Sequence, residues 1–230
     1  MNELRDDLRL GDSGGEIRVM TLPRFEKAYA MSRMRPLSEE ETAASALPDL
    51  GGLREFARSY GGASFGGGVY RTHSALEMEK WTALVGEAFP EQRDHIVCFA
   101  FDWMGRQYAI DSSRRVGGTP GVLLFDPATV KSFEVPATLE TLHEEELADH
   151  GVEDLAVPFF QEWIASGGSA PRHDQCVGYK KPLFLGGDDD VTNLEITDME
   201  VYWAISTQIW EQVKGLPPGT KIGSVSFGNE

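Results

Sequence analysis

The sequence predicts an α+β fold: a central antiparallel β-meander flanked by helices, with a mainly helical subregion at the C-terminal end. Three observations predict it. Between residues 96 and 135, four short runs of β-forming residues are divided by turns too short for a parallel crossover. Before and after that stretch, apolar residues recur at three- and four-residue spacings. With 41% hydrophobic and 25% charged residues, the 230-residue chain is able to bury one sizeable core or two small ones.

In chain order, the first fifty residues read as helices with polar connections. Pro23 opens a segment, 24–35, that Pro36 ends, and Ser38 with Glu41 three residues on is a capping-box pair. Leu53, Phe56, Ala57 and Tyr60 share one helical face, and Gly61 and Gly62 close that helix through their tolerance of positive φ. Residues 68–71 read as a strand, and 75–89 as a helix. Strands 96–101 and 107–111 form a hairpin whose turn, 102–106, holds Gly105; strands 122–125 and 132–135 follow, divided by Asp126-Pro127-Ala128-Thr129. Helices are expected over 139–149 and 152–164, then a joint at 167–171 and a short strand and turn over 183–187. Thr197-Asp198-Met199-Glu200 is a second capping box, opening a helix to Val213 that Leu216-Pro217-Pro218-Gly219-Thr220 ends. Apolar on most sides, with Tyr202, Trp203, Ile205, Ile209 and Trp210, that helix has to be buried or bound. Three regions are expected: an N-terminal helical extension (1–46), an α+β region holding the sheet (47–166), and a C-terminal region (167–230) packed on it.

Charge narrows the function classes. The formal net charge is −16, and residues 139–200 hold 15 Asp and Glu against 3 Lys and Arg, a net of −12. Such a field repels nucleic acid and anionic membranes and attracts basic partners; the bland counterpart is a well-solvated acidic surface. No apolar run approaches the roughly 18 to 20 residues of a membrane span. The opening MNELRDDLRL carries both signs of charge and lacks the apolar centre of a secretory leader, so a cytoplasmic location is expected. Cys98 and Cys176 fit no metal or redox spacing and are expected as reduced thiols. Neither glycine-rich phosphate-binding pattern occurs, nor a basic patch interleaved with aromatics, which argues against a nucleotide enzyme or a nucleic-acid binder; no cofactor is expected.

Four clusters invite a chemical reading. Residues 62–66 spell G-x-S-x-G around Ser64, yet a nucleophile elbow is a strand, a turn and then a helix, and here the order is reversed. His73, His95, His143, His150 and His173 form no partner pattern, so no catalytic residue is expected. Asp188, Asp189 and Asp190, with Asn193 and Glu195 behind them, offer oxygen to a hard cation but lack the EF-hand spacing; a solvated turn or a contact for a basic partner competes with a metal site. Glu144, Glu145 and Glu146 point about 100° apart on a helix and cannot converge on one atom. Trp103, in the hairpin turn, is either an exposed anchor for a partner or folded back on the core. The candidate partner contacts are therefore Asp188, Asp189, Asp190, Glu144, Glu145, Trp103 and Arg106, with no metal ligand among them.

Leu47-Pro48 before a helix, SFGGGVYR (64–71), FAFDWMGRQYAID (99–111), LLFDP (123–127), DQCVGYKKPLFLGGDDDVTNLEITDMEVYW (174–203) and LPPGT (216–220) together resemble the type VI secretion DNase-immunity family. The likeness is most specific around 101–106 and 183–203, and the order of helix, glycine turn and meander is also similar to SUKH-type immunity proteins. What the resemblance implies is a GAD-like region over 47–166, a family-specific C-terminal region, and a cytosolic antitoxin that does no chemistry itself. Its implied partner is a cognate nuclease toxin, a basic protein whose cationic phosphate groove an acidic surface is suited to occupy. Two other classes stay open on the residues alone: a regulatory or scaffold module for another basic protein, and a hydrolase built on Ser64 or on the aspartate cluster.

Overall fold

The computed structural model describes residues 19–33, 36–217 and 220. Helix α1 (Pro23–Ala28) leads to β1 (Met31–Arg33); a 3-10 turn (Ala44–Ala46) and α2 (Leu53–Tyr60) precede β2 (Ala63–Phe65) and β3 (Tyr70–Thr72). After α3 (Ala75–Ala88) come β4 (Ile96–Asp102), β5 (Gln107–Val116), β6 (Thr119–Asp126) and β7 (Lys131–Val135). Then α4 (Leu139–Thr141), a π-helical stretch (Leu142–Leu147) and α5 (Ala148–Asp154) run on from one another, followed by α6 (Val157–Ala165), β8 (Gln175–Tyr179), β9 (Leu194–Asp198) and α7 (Met199–Val213). Strands β1 to β7 stand side by side in sequence order, each antiparallel to the next, while β8 and β9 form a separate antiparallel pair. The α+β class and its central antiparallel meander are as the sequence predicts. No described helix is long and apolar enough to cross a membrane.

Several local expectations give way; at the start of α7 the N-cap is Asp198, whose side chain accepts the Val201 N–H at 3.0 Å, in place of the capping box expected from Thr197. The helix expected over 24–35 stops at Ala28, because Tyr29 turns extended and Met31, Ser32 and Arg33 pair with Phe65, Ser64 and Ala63; sheet pairing overrides local helix preference. Its last residues, 34 and 35, like the segment 1–18, lie outside the described residues. The Ser38–Glu41 pair makes both reciprocal hydrogen bonds, 2.9 and 3.3 Å, but closes only a turn rather than starting a helix. Leu183-Phe184-Leu185 is a 3-10 turn instead of a strand, entered from Pro182, which has no N–H for a ladder, and closed by Gly186 at φ 75°.

Helices cover both faces of the large sheet. A bulge in β4 between Cys98 and Ala100 shifts the alternation, so that Phe99 joins one buried layer while Cys98 and Phe101 join the other. The first layer gathers Phe25, Phe56, Tyr60, Leu142 and Leu147 over Phe65, Tyr70, Phe99, Tyr108 and Val122. The second packs Trp81 and Val85 of α3, and Met199, Tyr202 and Trp203 of α7, against Cys98, Phe101, Ala109, Leu123 and Phe125. Helix α3 begins with a complete capping box, in which Ser74 and Glu77 satisfy one another's backbone N–H. Both cysteines are buried and unpaired.

Candidate functional site

The β4–β5 turn is braced by several side-chain hydrogen bonds. Asp102, buried, accepts backbone N–H groups of Met104 at 2.9 Å and Arg106 at 3.0 Å through Oδ1, and Arg106 Nε at 2.5 Å through Oδ2. Gly105 completes the turn at φ 80°, and a β-carbon there would lie 3.1 Å from Cys176 Sγ. Burial works against the charge of Arg106, but the Asp102 carboxylate beside it raises its proton affinity above the ordinary value, so the guanidinium stays charged. Arg106 Nη2 then donates to the carbonyl of Asp154 at 2.7 Å, and Trp203 Nε1 to that of Gly105 at 2.8 Å, tying the turn to α5 and α7.

This bracing decides the place of Trp103. Of the two placements open to it, the structure realises the inward one: Trp103 is 0% exposed, its Nε1 donates to the Leu155 carbonyl at 2.8 Å, and Phe159 and Phe160 lie against its ring. An anchor for a partner needs accessible area, and Trp103 has none, so it leaves the set of surface contacts.

Beyond Arg106 opens a cleft of about 410 Å³, between strands β5 to β7 and the helical run 142–154. Leu124, Val135, Leu142 and Leu147 give it apolar lining. Four carboxylates stand around these, Glu134 of β7, Glu146 of the π-helical stretch, and Glu153 and Asp154 of α5. Burial first, and then Glu153, push the Asp154 carboxyl above the usual carboxylate range. Tyr108 also lines the cleft; it is 2% exposed, and burial raises its phenol well beyond the ordinary value. The cleft thus holds acceptor oxygens beside hydrocarbon, a composition suited to holding a cation.

The other sequence candidates are dispersed. Glu144 caps α1 from a distance: its Oε1 accepts the backbone N–H of Arg24 at 3.0 Å and of Phe25 at 3.3 Å, while Arg24 also bridges to Asp149 at 2.6 Å. Glu144→Ala is expected to cost about 1 kcal/mol, read as a lower urea midpoint. Glu145 is exposed, so the three neighbouring glutamates diverge as helix geometry requires. Asp188 is exposed, Asp189 accepts the Tyr179 hydroxyl, and Asp190 caps the short turn Val191–Asn193 through Thr192 N–H at 2.8 Å. None of these three lines the cleft. Ser64 lies within β2, opposite Ser32 on one side and Arg71 on the other, with no strand-to-helix turn to present it. Glu134, Glu153, Asp154 and Tyr108 were not singled out by sequence; the Glu153-Asp154 pair is the one local sign, and only the crossing of α5 over the sheet gives it meaning.

A second polar centre holds the chain after α6. Arg71, fully buried, donates to the carbonyls of Arg172, of Gln175 at 2.7 Å and of Asp102 at 3.0 Å, and its guanidinium lies 4.5 Å from the centre of the Phe101 ring. Beside it Glu77 faces His173 at 3.3 Å. Burial opposes the Glu77 charge, yet His173, His73 and the Ser74 N–H together hold its carboxyl well below the usual range.

Residues 138–210 match the family model described as T6SS immunity protein Tdi1, C-terminal, and that match supports a type VI secretion immunity protein family. No curated protein matches the chain. Among solved structures, the crystal structure of Atu4351 from Agrobacterium tumefaciens is similar, with a TM-score of 0.60 and 14% identity over 82% of this chain and 89% of that one. At that identity the likeness shows a shared fold alone.

Proposed function

We propose, from the similarity of residues 138–210 to a type VI secretion immunity domain, that this chain is an immunity protein that binds and neutralises a cognate nuclease toxin. The observation that carries the reading is that the matched segment contains one whole wall of the acidic cleft: Leu142, Glu146, Leu147, Glu153 and Asp154. A nuclease must bind phosphates with a cationic surface, and an acidic protein laid on that surface excludes DNA without any chemistry of its own. The exposed carboxylates of Glu145 and of 188–190 add to the attracting potential, as part of the net −12 carried by residues 139–200. On this reading the protein contributes shape and potential, and needs neither cofactor nor metal.

The test is survival of cells that express a candidate nuclease toxin taken from a neighbouring open reading frame, with and without the chain, together with isolation of a one-to-one complex of the two purified proteins. Rescue and a stable complex are the expected results. Failure of both overturns the reading. Because charge steers the encounter, raising salt from about 50 to about 500 mM is expected to slow association at least tenfold, with a smaller effect on dissociation. Stopped-flow mixing measures both rates, and an unchanged association rate removes the electrostatic part.

A further inference from the structure

We propose that the cleft between β5–β7 and residues 142–154 receives a single arginine side chain of the toxin; this rests on the immunity reading above and deepens it. Charge complementarity comes first. Glu134, Glu146, Glu153 and Asp154 face the space, against the one guanidinium of Arg106. That guanidinium is already engaged by Asp102 and by the Asp154 carbonyl. Arg114, the other cation near the rim, stands 4.0 Å from Glu134. The space therefore keeps a surplus of negative charge that the chain's own cations leave in place.

The second observation is the Tyr108 hydroxyl. Its residue is 2% exposed and lines the cleft, yet among the described residues no hydrogen bond to that hydroxyl is found, whereas the buried Tyr60, Tyr70 and Tyr179 hydroxyls are each hydrogen-bonded. The ring is buried while the hydroxyl keeps contact with the solvent of the cleft, so its lone pairs are open to an incoming donor. Arginine fits this combination better than lysine. Its flat guanidinium is weakly hydrated, tolerates the apolar lining of Leu142 and Leu147, and carries five donors in a planar fork, enough for two carboxylates and a phenol oxygen at once. Arginine in a desolvated pocket is also a recurrent source of binding energy at protein interfaces.

Two measurements test the proposal. In the first, the isotope-labelled full chain is titrated with N-acetyl-arginine amide, with the lysine and citrulline amides as controls, and backbone NMR shifts are followed. Saturating shifts confined to the cleft are expected with arginine, at least threefold weaker binding with lysine, and none with citrulline; Tyr108→Phe weakens arginine binding several-fold and Glu146→Gln with Glu153→Gln abolishes it. No saturation with arginine, equal response to lysine, or an unaffected Tyr108→Phe variant overturns the proposal. In the second, the purified toxin is titrated onto wild-type chain and the Glu146→Gln, Glu153→Gln double variant, whose exposed or half-exposed positions leave the core intact. A rise in Kd of about 100-fold is expected. Unchanged toxin affinity overturns the arginine site while the immunity reading stands. A wild-type chain that binds no toxin overturns the immunity reading, and the arginine amide still decides whether the cleft holds a guanidinium.

Discussion

Replacing Trp103 by alanine is expected to remove about 3–5 kcal/mol of folding stability, out of the roughly 5–15 kcal/mol that a domain possesses. The indole is wholly buried between the β4–β5 turn and the α5–α6 junction, with Phe159 and Phe160 against it, so alanine leaves a void that rigid neighbours fill only in part. The Leu155 carbonyl also loses the Nε1–H donor that it accepts at 2.8 Å, adding the cost of an unsatisfied buried acceptor. Trp103→Phe keeps most of the volume and loses that hydrogen bond, and is expected to cost less than half as much. Urea unfolding followed by circular dichroism measures both. An alanine variant within about 0.5 kcal/mol of wild type, the range of an ordinary surface substitution, means that the side chain is not where the structure puts it. The same variant separates two sources of lost toxin binding. Trp103 carries no accessible area, so any fall in affinity should track the unfolded fraction and vanish when the folded fraction is corrected for.

Much of the fold is legible in the chain because its signals are local. The strands of the meander are close neighbours in sequence, and Gly105 and Asp126-Pro127 punctuate them where turns fall. Illegible features are those that only a distant partner makes. Met31-Ser32-Arg33 has no strand pattern and becomes β1 because Ala63 to Phe65 present a free edge. The β8–β9 pair escapes a propensity reading since Gly178 interrupts the run, and the reason for that glycine is remote: a β-carbon there would come within 2.7 Å of the Tyr202 ring on α7. The candidate site follows the same rule. Acidic excess over 139–200 was plain from composition, yet of the residues singled out as contacts only Arg106 lines the cleft. The four carboxylates come from three separate segments, and Glu144, one position short of the exposed Glu145 and two short of the cleft-lining Glu146, serves the end of α1 instead. Clustering in sequence thus reports potential, which adds over distance, better than it reports geometry, which does not.

Acid is expected to destabilise this protein from about pH 6.5 downward, before its ordinary carboxylates titrate, and two buried histidines are the cause. His143, in the π-helical stretch, packs against Phe25 and Phe56, with Nδ1 2.7 Å from the Leu139 carbonyl and Nε2 2.9 Å from the Tyr70 hydroxyl. A carbonyl only accepts, so Nδ1 carries the hydrogen and Nε2 accepts from Tyr70. Protonating Nε2 turns that acceptor into a donor, inside a layer of rings, and burial lowers His143 to about 4. His73 lies between Trp81 and Phe101, with Nε2 2.8 Å from Gln107 Oε1 and Nδ1 buried without a partner. Burial lowers it to about 3, with Glu77 pulling the other way and His173 and Arg71 adding to the fall. Both folded values lie below the unfolded histidine value of about 6.5, so the unfolded chain takes up the protons first. The stability these groups contribute is complete above about pH 6.5 and is lost as pH falls towards 4 for His143 and 3 for His73. Each loses about 1.4 kcal/mol per pH unit, so two units below 6.5 the pair together withdraw on the order of 5 kcal/mol. Urea unfolding at pH 7.5, 6.0 and 5.0 is expected to show this decline, and His143→Gln, which can still donate and accept, should start less stable but fall about half as steeply. A wild-type stability that is flat between pH 7 and 5 would mean that neither imidazole is held neutral. A unit slope that His143→Gln leaves untouched would assign the loss to His73 alone.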